Sequence, residues 1–129
     1  VLDLCAGTGA LGLEALSRGA VFADFVEQSP RALLALGRNV AALGAADRCA
    51  IHRADAEAWL ARAVRDGQHW DVAFADPPYR IGLAEAIARQ WLSVPFSAVL
   101  GVEHEAAVRL PVGGDMRRYG DTAITIYRT

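Results

Sequence analysis

The sequence predicts a doubly wound α/β fold, a mostly parallel sheet with helices on both faces and an antiparallel hairpin at its end. Three observations predict it. Apolar runs of strand length alternate with helical periodicities through most of the 129 residues. A glycine-rich turn, Gly7-Thr8-Gly9, follows the first apolar run and opens the first helix. The fourth strand runs straight into Asp76-Pro77-Pro78-Tyr79.

The elements follow in order. Residues 1–4 form a short apolar run that reads as a buried strand. From Ala10, Leu13 and Leu16 recur at helical spacing, and Gly19 stops that helix. Residues 21–26 form a second strand, closed by Glu27. Pro30 suits a first helical turn. Leu33, Leu36, Val40 and Leu43 mark one face of the second helix, which Gly44 ends. A short third strand covers 49–52. A helix over 56–65 carries Trp59, Leu60, Ala63 and Val64 on its apolar side, before an Asp66-Gly67 turn. The fourth strand covers 70–75, a helix 83–92 and a fifth strand 98–102. Two strand-like runs, 116–119 and 123–127, meet at Gly120-Asp121 as an antiparallel hairpin.

The chain is 53% hydrophobic, enough for a core and too rich for disorder. Its length suits a single domain over 1–129. No apolar run reaches the roughly 20 residues of a membrane helix, and the opening has no signal-peptide pattern. Cys5 and Cys49 make no disulfide framework, and a cytoplasmic location is expected. The net charge of −2 is low for a nucleic-acid binder, so any basic surface must be local or lie outside this segment. There is no initiating Met and residue 1 already falls in a buried strand. The expectation is a fragment lacking an N-terminal segment.

Gly7-Thr8-Gly9-Ala10-Leu11-Gly12 matches the dinucleotide fingerprint G-x-G-x-x-G, and Glu27 stands where a ribose-binding carboxylate would. A nicotinamide or flavin enzyme is therefore one reading. Asp3 points elsewhere. A carboxylate just before the loop repels a pyrophosphate but suits the ammonium of a methionine moiety. A plain strand-to-helix turn accounts for one glycine more easily than for both glycines with Asp3 and Glu27.

Asp76-Pro77-Pro78-Tyr79 lies at the carboxyl edge of the sheet, where ligands of such folds bind. Two prolines fix the backbone and remove two N–H donors. The Asp76 carboxylate and Pro77 carbonyl remain as acceptors, and Tyr79 adds a flat face. This set suits a planar substrate bearing an amino group. Two hydrogen bonds from its protons free the nitrogen lone pair and stabilise the charge that grows during methyl transfer, while Tyr79 stacks on the ring. The plainer alternative is a proline turn with Asp76 capping the next helix.

These residues resemble a known family. VLDLCAGTGALGLEALSRGA at 1–20, Asp76-Pro77-Pro78-Tyr79, and Tyr119-Gly120-Asp121-Thr122 are similar to class I methyltransferases with the (Asn/Asp)-Pro-Pro-(Tyr/Phe) signature. More narrowly, they resemble the RsmD-type bacterial enzymes that methylate N2 of a guanine in small-subunit ribosomal RNA. The resemblance implies S-adenosylmethionine as cofactor. Asp3, Gly7 and Gly9 would hold its methionine part, Glu27 its ribose, and Asp55 with Ala56 its adenine edge. Asp76, Pro77 and Tyr79 would hold the target base, with Pro78 and Arg80 also contacting the nucleotide. It implies a seven-stranded sheet and, as partner, ribosomal RNA in the small subunit or an assembly intermediate; nothing requires more than a monomer. Cys5 stands where the family more often has an aromatic. Family members also carry a basic segment before the first strand, which this fragment is expected to lack together with part of its RNA affinity.

Other readings stay open: an amino-methyltransferase acting on adenine N6 in DNA or a protein glutamine, a nucleotide-cofactor oxidoreductase, or a non-catalytic RNA-binding module. His52, His69 and His104 show no ligand spacing, and no metal site is expected. Glu103-His104-Glu105 reads as a solvated strand end with Glu103 near the active edge. Arg117, Arg118 and Arg128 read as a charged surface hairpin. Trp59 and Trp91 are expected in the core, with Trp70 opening a strand.

Overall fold

A computed structural model describes residues 1–78 and 82–129. Seven strands form one sheet: β1 (Leu2–Leu4), β2 (Ala23–Glu27), β3 (Cys49–Arg53), β4 (Trp70–Ala75), β5 (Ser97–Glu105), β6 (Asp115–Tyr119) and β7 (Thr122–Arg128). Their order is β3-β2-β1-β4-β5-β7-β6. The first five strands pair in parallel, and β7 pairs antiparallel with both β5 and β6. Four helices connect them: α1 (Ala10–Ser17), α2 (Pro30–Ala42), α3 (Ala56–Arg65) and α4 (Leu83–Ser93).

Strand alternation divides the core into two layers. On β2, Phe25 packs with Leu13, Leu16, Leu36 and Val40 of α1 and α2. Its neighbour Val26 packs on the opposite face with Leu60 of α3, Ile87 of α4 and Leu2 and Leu4 of β1. The chain reverses its direction of winding between β1 and β4. Crevices at the carboxyl ends of strands form at such switch points.

Each helix start has a local cause. Ser29 accepts from the Ala32 amide, and Pro30 supplies the first turn of α2. Asp55 caps α3 through the Ala58 amide, 3.0 Å away. Gly9, at φ 85°, begins α1 from a left-handed conformation that costs other residues strain.

The strands differ from the sequence expectation at their ends. β5 extends to Glu105 because β7 pairs with it as far as Glu105↔Thr122. β2 begins at Ala23; Val21 and Phe22 precede its register with β3 and are exposed. Trp91 is buried and donates to the Ser97 carbonyl at 2.9 Å. Trp70 opens β4 and donates to Asp24 at 2.9 Å. Trp59 is only partly buried, stacked at an angle between His52 and Trp70. Among the described residues no helix is long and apolar enough to cross a membrane.

Candidate active site

The carboxyl ends of β1, β2, β4 and β5 open on a cleft of about 1480 Å³. Its floor begins with a tight loop after β1. Cys5 and Gly7 take positive φ values of 58° and 57°, and the Gly9 amide donates to the Ala6 carbonyl at 2.8 Å. Gly9 lies close to Leu36, so a side chain there would meet both strain and α2. Asn39 of α2 ties the loop down through the Thr8 carbonyl, at 2.9 Å.

Asp3 is almost wholly buried beneath this loop. Its Oδ2 accepts the Gly12 amide at 3.0 Å. Burial, reinforced by Asp76 and Glu27 and opposed by the Gly12 bond, pushes its carboxyl up to about 7.

Glu27 organises two loops. Its Oε1 accepts the Gly7 amide at 2.8 Å, and its Oε2 accepts the Gln28 and Ser29 amides, each at 2.8 Å. The glycine loop is thereby stitched to the end of β2. An ionised carboxylate has about four acceptor sites, so a ribose hydroxyl arriving here would share them with these amides. Asp55 and Ala56 line the cleft at the start of α3.

Asp76, Pro77 and Pro78 complete the rim beyond β4. Asp76 and Pro78 are exposed and Pro77 half-buried. Tyr79 and Arg80, the proposed stacking and backbone-contacting residues, lie outside the described residues. The structure thus brings Asp3, Gly7, Glu27, Asp55, Ala56, Asp76, Pro77 and Pro78 to one cleft, while Gly9 sits beneath its loop.

Three features exceed the sequence reading. Glu103 lines the cleft, and the Asp76 carboxyl within hydrogen-bonding reach, together with burial, raises its carboxyl to about 7. Its neighbour His104 is not solvated as a strand end would be. It is buried, its Nδ1 donating to the Glu105 carbonyl at 2.9 Å and its Nε2 accepting from the Thr125 hydroxyl at 2.7 Å. The Leu100, Val102, His104 alternation already carried this signal, since residues two apart share a strand face. Finally, Arg118 of the hairpin reaches the cleft wall, whereas Arg117 pairs with Asp115 at 3.6 Å.

The cleft is strongly electronegative. Asp3, Glu27, Asp55, Asp76, Glu85, Glu103, Glu105 and Asp121 line it, against Arg118 as the one lysine or arginine among the described residues. The Cys5 thiol registers this field: burial, then Glu27, Asp3, Asp76 and Asp55, push it up to about 12. Cys5 is therefore a neutral thiol and no nucleophile. Among the described residues no three His, Cys, Asp or Glu side chains cluster as a metal site.

The chain is similar to known proteins. The family model described as conserved hypothetical protein 95 matches residues 1–128. Ribosomal RNA small subunit methyltransferase D of Haemophilus influenzae is 30% identical over 98% of this chain and 68% of its own length. The protein of that name from Escherichia coli K12 is 36% identical over 85% of this chain and 55% of its own, so the chain spans about half of that relative. A hypothetical protein of Thermus thermophilus superposes with a TM-score of 0.85, at 34% identity, over 99% of this chain and 74% of that one. The rRNA methyltransferase AviRa of Streptomyces viridochromogenes shares the fold, with a TM-score of 0.72 at 20% identity over 98% of this chain and 75% of that one. With the sheet order, the glycine loop and the Asp76-Pro77-Pro78 junction in place, the chain belongs to the RsmD family of class I methyltransferases.

Proposed function

We propose that the chain is the catalytic domain of an S-adenosylmethionine-dependent enzyme that methylates the exocyclic N2 amine of a guanine in small-subunit ribosomal RNA. The observation that carries the cofactor is the sign of the cleft. When bound, S-adenosylmethionine supplies a methyl group on a sulfonium cation, and it also carries an ammonium group. Asp3, Glu27 and Asp55 give a cleft complementary to such a ligand. Glu27 would suit the ribose of either cofactor, but Asp3 beneath the glycine loop repels the pyrophosphate of a nicotinamide or flavin dinucleotide, which disfavours the oxidoreductase.

The residues act in named roles. Asp3, Gly7 and Gly9 shape the methionine end. Glu27 accepts from the ribose hydroxyls, and Asp55 with Ala56 meets the adenine edge. The Asp76 carboxylate and Pro77 carbonyl accept the two amino protons of the base. Those bonds free the nitrogen lone pair and stabilise the charge that develops on it. Tyr79 stacks on the base, and Pro78 and Arg80 border the nucleotide. Cys5, held as a thiol, takes no covalent part.

The relatives named as small-subunit ribosomal RNA methyltransferases support RNA as substrate. We place the enzyme in the cytoplasm, acting as a monomer on the small subunit or an assembly intermediate. The test is incubation with labelled cofactor and either protein-free small-subunit RNA or small subunits, followed by mass-spectrometric mapping of the methylated nucleoside. N2-methylguanine supports the assignment, and N6-methyladenine or methylated protein contradicts it.

A further inference from the structure

We infer that Glu103 is a positioning residue that shares a proton with Asp76, making the two carboxyls together the acceptor of the amino proton released on methylation. The inference rests on the reading of Asp76 given above.

The placement follows from strand register. β4 and β5 run parallel with Ala75 opposite Val102, so the chain delivers Asp76 and Glu103 side by side at the next step. The two carboxyls come within hydrogen-bonding reach of each other, an approach that a proton shared between them makes favourable. No sequence pattern links these positions; only the parallel pairing does.

Among the described residues, the surroundings leave that proton to the pair. Opposite Glu103 on β7 stands Ile124, which brings no charge. Next to Glu103 on β5, His104 is engaged with Thr125. From α4, Glu85 is held by Arg89 at 2.7 Å. Asp3 and Glu27 lie on β1 and β2 along the same cleft and add negative charge, while Arg118 is the cation on the hairpin side. Asp76 thus gains a second carboxyl as its direct proton partner.

The chemistry releases a proton that the pair is placed to take up. The nitrogen lone pair forms the new N–C bond, while the electron pair of the C–S bond stays on sulfur. The nitrogen, now positively charged, gives one proton to Asp76, where Glu103 shares it. The proton then passes to water, restoring the pair. A lone aspartate ionises near 4. Two adjacent carboxylates hold one proton far more tightly, and the Glu103 carboxyl is accordingly raised to about 7 by Asp76 and by burial.

The pair must be doubly ionised to accept a proton, so kcat should rise with pH through about 7 and level off above it. Glu103→Gln keeps a hydrogen bond to Asp76 but cannot share the proton. It should lower kcat about tenfold or more at pH 8, remove the limb near 7, and leave the dissociation constant of S-adenosylhomocysteine unchanged. The profile is taken at saturating cofactor, so that Asp3 does not enter it. A second readout needs no turnover: in protein labelled with 13C at glutamate carboxyls, one signal should titrate near pH 7 and be lost in Glu103→Gln. An unchanged kcat limb in the variant, or no such glutamate signal in the wild type, overturns the shared proton while leaving the role of Asp76 standing. Absence of methyl transfer to any RNA by the wild-type protein overturns both.

Discussion

Asp3, at the centre of β1, accepts the backbone N–H of Gly12 at 3.0 Å and so locks the first turn of α1 over the sheet. One buried carboxyl thereby joins the strand, the glycine loop and the helix that bound the cleft. It does so at a cost, because its ionised form is poorly solvated.

That cost is measurable. The Asp3 carboxyl is raised from 3.8 to about 7 in the folded protein. Between those values the folded state holds a proton that the unfolded chain has released. The stability this provides is complete below the lower value and is lost as pH rises through the upper one. Asp3→Asn keeps an acceptor for Gly12 and carries no charge. It should be more stable than wild type at pH 8, on the order of a few kcal/mol, with the gap closing toward pH 4. Thermal melts across that range check it.

Gly12 tests the close approach of α1. A Cβ there would collide with the Phe25 ring and press on Asp3. Phe25 is fully buried between α1 and α2 and has little room to move. Gly12→Ala should therefore destabilise the protein by about 1–3 kcal/mol despite alanine's better helix propensity. Urea unfolding measures this.

Glu27 joins the glycine loop to the β2–α2 connection through three backbone amides. Glu27→Ala should weaken S-adenosylhomocysteine binding by roughly tenfold to a hundredfold, the worth of hydrogen bonds to a charged group. Calorimetric titration reads the loss directly. Unchanged affinity would reduce Glu27 to a loop fastener.

In the proposed mechanism Asp76 serves the reacting amine and not the cofactor. Asp76→Ala should lower methyl transfer by about a hundredfold or more and leave S-adenosylhomocysteine affinity within roughly threefold. Single-turnover kinetics and calorimetry on the same preparation separate the two effects. An unchanged rate would contradict the mechanism.

Most of the architecture was legible in the chain because its cues are local. Glycines mark the ends of α1 and α2, Pro30 opens α2, and the apolar runs of β1 and β4 are buried strands. Asp3 and Glu27 stood out for the same reason, each at or beside a strand end that periodicity locates, whereas Asp55 entered only through the family resemblance; all three line the cleft. What escaped depends on pairing across the sheet. Glu103 meets Asp76 only through the β4–β5 register, and the antiparallel β5–β7 pairing puts His104 opposite Ala123, within reach of Thr125. Val21 and Phe22 misled in the other direction, being apolar yet outside the paired part of β2.

The most direct test of the central claim is calorimetric titration of the protein with S-adenosylhomocysteine, with NADH run in parallel. A cleft ringed by carboxylates should bind the first and reject the second, whose pyrophosphate at the glycine loop would meet Asp3. Binding of NADH, or of neither ligand, would contradict the account.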